Sequence, residues 1–258
     1  MVTTNTFDYK RTITHTSYKH GDKKVKKGGF SRVLPHKITH DKHKISKDLD
    51  PNEKYSLPND VYFELDPEAH LVPIMVGGTL LVLFLFSFIL FISYDEEASI
   101  GFIIAMISFF LGFLFYLIYY FTMPKKECIF NRADGLVTFP GIMWHKTITM
   151  PVKDIMFSIS SPSGGTGAFQ LDIVRPDKTY SLYRCNLGNN CYEDLSYFLW
   201  YMDKNRPLPR GTAFDKYRDQ DFKRRKNARF PKPLFPSDIE TPEATPEQQA
   251  EREHISGW

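Results

Sequence analysis

Few of the residues that do chemistry are grouped in this sequence of 258 residues. His36, His40 and His43 lie near Asp41 and could serve a metal ion. They stand in a polar stretch with no helix or strand pattern to hold them and no cysteine among them, so a solvated segment is the better reading. Ser163, Gly164, Gly165 and Thr166, followed by Gly167, form the one glycine cluster. It lacks the Gly-Lys-Ser/Thr ending of a phosphate loop and joins strands instead of opening a helix, which makes it a hairpin loop whose exposed tip can touch a partner. Cys185 and Cys191 are six positions apart, but a reducing compartment keeps them as thiols. Three cysteines without a pattern give neither a disulfide framework nor a tetrahedral zinc site. His145, beside Trp144, has no assignable serine or cysteine nucleophile. The expectation is a protein without catalytic residues, metal or cofactor, and not an enzyme.

The elements that position these residues are dominated by two apolar runs. Hydrophobic residues make up 42% and the mean hydropathy of −0.32 looks soluble, yet the apolar residues are concentrated in two blocks. Residues 71–93 and 99–123 each exceed the roughly 20 positions a helix needs to cross a bilayer core. Sixteen residues of the first run are Leu, Ile, Val or Phe, worth roughly 5–10 kcal/mol in favour of insertion before backbone costs. Buried helices of a soluble protein would be nearer 10–14 apolar residues long. The acidic connection, residues 94–98, is too short to cross back, so the pair reads as a transmembrane hairpin. Thirteen Lys and Arg precede it, Lys125 and Lys126 follow it, and the connection has none. Both termini are therefore expected on the cytoplasmic side, and the acidic loop outside. Gly101, Ala105, Ser108 and Gly112 fall in one stripe of small residues where another helix can approach, either α-helix one of the hairpin or a second copy. No Asp, Glu, Lys, Arg or His lies inside either run, which disfavours an ion or proton pathway.

Residues 1–56 form a basic arm too poor in clustered apolar residues to fold alone, and disorder is expected for most of it. Residues 57–70, with Val61, Tyr62, Phe63 and Leu65, read as a juxtamembrane piece packed on the later domain. Between residues 124 and 204 the text becomes strand-like. Asp134-Gly135 marks a hairpin of the type I′ kind, and Phe169, Leu171 and Ile173 alternate as a half-buried strand does. Asn190 with Glu193 reads as a capping box for a helix whose Tyr192, Leu195, Phe198, Leu199 and Met202 share a face. Residues 205–258 are a tail: seven prolines between Pro207 and Pro246 argue for an extended segment without its own core. Lys223, Arg224, Arg225, Lys226 and Arg229, interleaved with aromatics, form a basic cluster. It suits the inner leaflet, a protein partner, or the strand domain itself, and suits nucleic acid least. The acidic end reads as solvated, with Trp258 a candidate anchor.

Strands in this order, closed by a helix, resemble the pleckstrin-homology-like barrel, with residues 147–155 as its strand–turn–strand. The fold expected is thus α+β: a transmembrane helical hairpin followed by a small pleckstrin-homology-like barrel or sheet with a C-terminal helix. Pro58-Asn59-Asp60 ahead of the hairpin, two spans, a strand-rich domain ending in an aromatic helix, and a proline-rich tail resemble a family of bacterial two-span membrane proteins. That family is often encoded beside type VI secretion effectors, and the resemblance covers roughly residues 57–240. It implies an inner-membrane protein of interbacterial competition, either an immunity protein against a toxin or an accessory to effector delivery. No catalytic residue transfers with it. The alternatives left open are a lipid- or envelope-sensing module and an accessory subunit of a larger membrane complex. Ser163–Thr166, Lys223, Arg224, Arg225 and Lys226 are the candidate partner contacts, anionic lipid a second possible partner, and a homo-oligomer could form through the spans.

Overall fold

The computed structural model describes residues 32–41, 59–65, 71–93, 99–124, 126, 128–141, 143–145, 147–160, 170–174, 184–188 and 190–258. In chain order the elements are β1 (Arg32–Leu34), β2 (Tyr62–Leu65), α1 (Leu71–Ser93), α2 (Ile100–Thr122), β3 (Cys128–Asn131), β4 (Leu136–Phe139), β5 (Ile148–Pro151), β6 (Met156–Ser160), β7 (Gln170–Val174), β8 (Arg184–Gly188), α3 (Cys191–Met202), α4 (Asp215–Asn227) and α5 (Pro246–Ser256). They divide into two compact units. One comprises Met1–Asp66, Glu127–Phe139 and Thr147–Trp258; the other comprises Pro67–Lys126 with Pro140–Lys146. The expected glycine loop at Ser163, Gly164, Gly165 and Thr166 lies outside the described residues, as do His43 and Pro58.

The first unit is built on two antiparallel sheets of four strands, ordered β2-β3-β4-β5 and β1-β6-β7-β8. No barrel is closed by the described strands, which departs from the expected barrel. The reason is visible at β6: its neighbours are β7 and β1, so the edge that closure onto β5 would need is taken by a strand from the N-terminal arm. Residues 32–41 of that arm, expected to be disordered, are part of the fold. Leu34 and Ile38 are buried, and Ile38 bridges the tail through Ile38 N–H to Pro236 O (3.0 Å) and Asp238 N–H to Ile38 O (2.8 Å). Two apolar anchors four residues apart are enough to fix a short extended segment when its backbone groups find partners on both sides.

The juxtamembrane segment pairs as expected. Asn59 Oδ1 accepts from Val61 and Tyr62 N–H, both at 2.7 Å, a local turn of the kind Asn favours, and it launches β2 along β3. Phe63 on β2 then stacks on Phe130 of β3 (ring centroids 4.5 Å) and meets Phe198 (5.5 Å) and Tyr201 (4.9 Å) of α3. This aromatic group is the centre of the core. The β3–β4 hairpin forms, but with four connecting residues, 132–135, instead of a two-residue type I′ turn. Only Gly135 takes a left-handed φ, +70°. Arg132 and Ala133 are withheld from a tighter turn because both donate their N–H to Val61 O. At α3 the reach-back of the expected capping box comes from Asp194, whose Oδ2 accepts from Asn190 N–H at 2.9 Å, and not from Glu193.

In the second unit α1 and α2 are each 23 residues long and apolar enough to cross a membrane. They run antiparallel, with Gly77 beside Tyr116, Leu80 beside Gly112 and Phe84 beside Phe110 at 5.0 Å. Polar hydroxyls in them turn inward to their own helices: Thr79, Ser87, Ser108 and Thr122 each donate to the carbonyl four residues back. Of the small-residue stripe, only Gly112 meets α1. Gly101, Ala105 and Ser108 are exposed, and the half-buried face is Phe102, Met106, Phe109, Phe113 and Tyr116. One position along a helix is a rotation of about 100°, and the bulk of Tyr116 needs the thin spot at Gly77 to turn inward.

A β-carbon at Gly77 would sit 3.1 Å from Tyr116 Cβ, and one at Gly112 would sit 3.0 Å from a Leu80 methyl, whereas one at Gly101 meets nothing within 4 Å. Gly77→Leu and Gly112→Leu are each expected to destabilise the helix pair by about 1–3 kcal/mol through overpacking. Gly101→Leu is expected to be neutral. Reversible unfolding of the full chain in mixed micelles, followed by a label pair across α1 and α2, distinguishes them.

Candidate functional site

The residues with the most charge chemistry outside the helices lie in the tail. Where the prolines predict an extended segment with a solvated acidic end, residues 205–258 carry α4 and α5 and belong to the strand unit, the docking on the strand domain that was one reading of the basic cluster. The second face of α3 explains this: Trp200, Tyr201 and Met202 are buried along with Leu195, Phe198 and Leu199, so the end of α3 is apolar around its circumference and requires cover. Leu208, Phe214 and Phe235 of the tail join its core. Trp200 Nε1 donates to Pro207 O at 2.8 Å, and Tyr201 Oη donates to Asn59 O at 2.8 Å.

Beneath this cover runs a chain of alternating buried charges. The Arg132 guanidinium donates to Tyr201 O, to Asp203 O (2.9 Å) and to Arg206 O (2.7 Å), and pairs with Asp221 Oδ1 at 3.3 Å. Asp221 in turn accepts from Arg225 Nε at 2.8 Å, one turn later on α4. Arg225 holds Glu243 with two parallel N–H···O bonds, both 2.6 Å, the fork geometry that only arginine offers a carboxylate. Glu243 also pairs with Arg252 at 3.2 Å, and Arg252 lies over the Trp258 ring, 4.6 Å from its centroid. The terminal Trp258 is thereby an anchor, and its Nε1 donates to Phe230 O at 3.0 Å. A second group sits alongside: Asp203 accepts from Arg206 Nε and from the N–H of Asn205, Leu234 and Phe235.

These environments bias the titrations. Burial works against the charge of Asp221, but Arg132, Arg225 and Arg224 outweigh it and hold the carboxyl below its ordinary value. Burial pulls Arg132 down, opposed by Asp221. Burial also opposes Arg225, yet Glu243 and Asp221 leave it above its usual value. Such matched pairs can lock a fold, although Arg132 Nε and Arg252 Nε stay buried without a hydrogen-bond partner.

The basic cluster is divided by the same arrangement. Arg225 is buried among carboxylates and is no surface contact. Arg224 donates to Lys204 O (2.6 Å) and Asp221 (2.8 Å), and Lys226 pairs with Glu251. Lys223 and Arg229 are exposed. Of the histidines, His36 packs between Phe157 and Phe235, His40 stacks on Tyr192, and Asp41 pairs with Arg210 at 3.0 Å. Among the described residues no group of three or more His, Cys, Asp or Glu could hold a metal ion. Cys191 is a buried free thiol. Sequence reasoning missed Arg132, Asp203, Asp221, Glu243 and Arg252 as buried; the three-residue spacing of Asp203 and Arg206 and the four-residue spacing of Asp221 and Arg225 are the signals of pairing.

No family model matches the chain, and no match was found among the curated proteins or the solved structures compared with it.

Removing one partner of a buried pair leaves the other charge uncompensated and costs roughly 3–5 kcal/mol. Asp221→Asn is expected to destabilise the strand unit by that order, since it strands both Arg132 and Arg225. Its pH signature has a definite sign. A carboxyl held low in the fold stabilises above its unfolded value of about 3.9 and loses that contribution as pH falls through the lower folded value. Urea midpoints below pH 4 are therefore expected to fall more steeply for the wild type than for Asp221→Asn, whose curve should flatten there.

Proposed function

We propose that the chain is a membrane-anchored, non-enzymatic binding protein of the bacterial inner membrane. The observation that carries this reading is the outer surface of the helix pair. Ile74, Met75, Val82, Phe86 and Ile89 on α1, and Ile100, Leu111, Ile118 and Phe121 on α2, are all exposed. A contiguous apolar surface of that extent exceeds what soluble monomers show to water. The pairing of β2 with β3 returns the chain on both flanks of the helices to one sheet, which supports placing both flanks on the same side of the bilayer. The lysine- and arginine-rich flanks favour the cytoplasmic side.

Two four-stranded antiparallel sheets followed by α3 support a pleckstrin-homology-like reading of the strand unit, with its seam left open at β6. The binding role is supported by the exposed basic residues Lys223 and Arg229 on and after α4, which suit an acidic protein surface. Neutralising a toxin in competition between bacteria is the most specific form of that role. Its support is the family resemblance, in which Asn59-Asp60 precedes the hairpin.

The full chain, purified in mild detergent from the cell that encodes it, tests the reading. A second polypeptide in equimolar amount is expected. Lys223→Glu with Lys226→Glu should lower its recovery roughly tenfold by placing like charges at the contact itself, with little change in the chain's own stability because the Lys226–Glu251 pair is exposed. A chain recovered alone overturns the binding role, and one that stays dispersed without detergent overturns the anchor.

A further inference from the structure

The loop Pro140–Lys146 connects β4 to β5, yet it belongs to the helix unit. It wraps the C-terminal end of α2. Trp144 packs edge-on against Phe115 (ring centroids 5.7 Å) and Tyr119 (5.0 Å), and its Nε1 donates to Thr122 Oγ1 at 2.8 Å. Phe115 to Thr122 is seven residues, about 10 Å of helix, so one indole covers the last two turns. Despite these contacts Trp144 is 45% exposed, and around it Tyr120, Phe115 and Phe121 (76%) are exposed as well. His145 is exposed beside it.

The backbone of the loop is prepared for a place with little water. Lys126 Nζ donates to both Gly141 O and Met143 O, and Tyr119 Oη reaches Met143 O at 3.5 Å. Met143 itself holds a left-handed φ of +45°, a conformation that costs a non-glycine residue and persists only when its surroundings impose it. An irregular segment tolerates a low-dielectric setting when its carbonyls are satisfied internally. An exposed Trp with exposed Tyr and a lysine at the end of a 23-residue apolar helix is the chemistry of the membrane–water boundary.

We propose that Gly141 and Met143–His145 of this loop form a membrane-interface site: they seat in the boundary between headgroups and acyl chains at the C-terminal end of α2, with Trp144 as the anchor. The proposal rests on the reading that α1 and α2 cross a bilayer. A helix of 23 residues is about 34 Å long against a core of roughly 30 Å. The residues Trp144 covers therefore fall at the edge of that core.

Depth-dependent quenching tests it. The full chain and Trp144→Phe are reconstituted in phosphatidylcholine–phosphatidylglycerol vesicles carrying a spin label at the fifth or the twelfth acyl carbon. The difference between the two proteins isolates Trp144 from Trp200 and Trp258. The Trp144 signal is expected to be quenched at least about twofold more by the shallow label than by the deep one. A difference signal that neither label quenches, or that the deep label quenches more, overturns the proposal. Trp144→Tyr, which keeps a ring and a polar group, gives a second difference signal that must show the same depth; disagreement between the two also overturns it. Flotation of the same vesicles separates the failures: protein that does not float with lipid refutes the spanning reading, while protein that floats with an unquenched Trp144 refutes the interface site alone.

Discussion

A single buried guanidinium ties together parts of the chain that are far apart in sequence. The backbone of Arg132 donates to Val61 O at 2.8 Å, fixing the strand that precedes the helix pair to the hairpin that follows it. Its side chain donates to the carbonyls that end α3, where the helix dipole concentrates negative charge, and to Arg206 O and Asp221 in the tail. An arginine this deep costs several kcal/mol unless its charge is met. Meeting it requires all of these at once: β2 in register, α3 ending at Met202, and the tail folded back far enough to deliver Asp221. Little freedom remains for any one of these segments to be placed independently.

In the tail, charge fixes α4 where apolar burial at Leu208, Phe214 and Phe235 has docked the chain. α4 reads DKYRDQDFKRRKN and buries one large apolar side chain, Phe222, alongside Asp221 and Arg225. A hydrophobic helix could slide along an apolar surface at modest cost. Asp221, Arg225 and Glu243 cannot, because a displaced buried ion pair exposes both charges to a medium that solvates neither. The two-bond clasp of Arg225 on Glu243 also brings α5 into place, since Glu243 N–H donates to Gln249 Oε1 and Arg252 closes on the same carboxylate.

Much of the architecture was legible because its signals are local. The apolar runs that became α1 and α2, the strands around Asp134-Gly135, the helix with Leu195, Phe198 and Leu199 inward, and the ordered piece at Phe63 each announce themselves within a dozen residues. Apart from the cap of α3, the departures are non-local. Nothing near Leu34 or Ile38 tells that β6 has an open edge for the arm to fill, so composition alone predicted disorder. Prolines in the tail stop regular structure where they stand, but they do not prevent Asp215–Asn227 or Pro246–Ser256 from forming between them. Glu243 carries no sequence mark of burial, because its partner Arg225 lies on another element. Of the two contacts left open for the small-residue stripe, the one with α1 is made by Gly112 alone, because the face that turns inward is decided by Tyr116 and the gap at Gly77 on the other helix.

The same non-locality changes how the tail presents itself to other molecules. Five basic residues between Lys223 and Arg229 suggest a dense positive field when counted along the chain. In the fold, Arg225 is neutralised by Asp221 and Glu243, Arg224 shares Asp221, and Lys226 faces Glu251. A field built on what is left decays within about 8–10 Å at physiological salt. Recognition by this face must then depend on close fit more than on attraction at a distance. A partner that binds here has to match a surface held rigid by the buried pairs beneath it, which favours a specific protein contact over diffuse attachment to a polyanion.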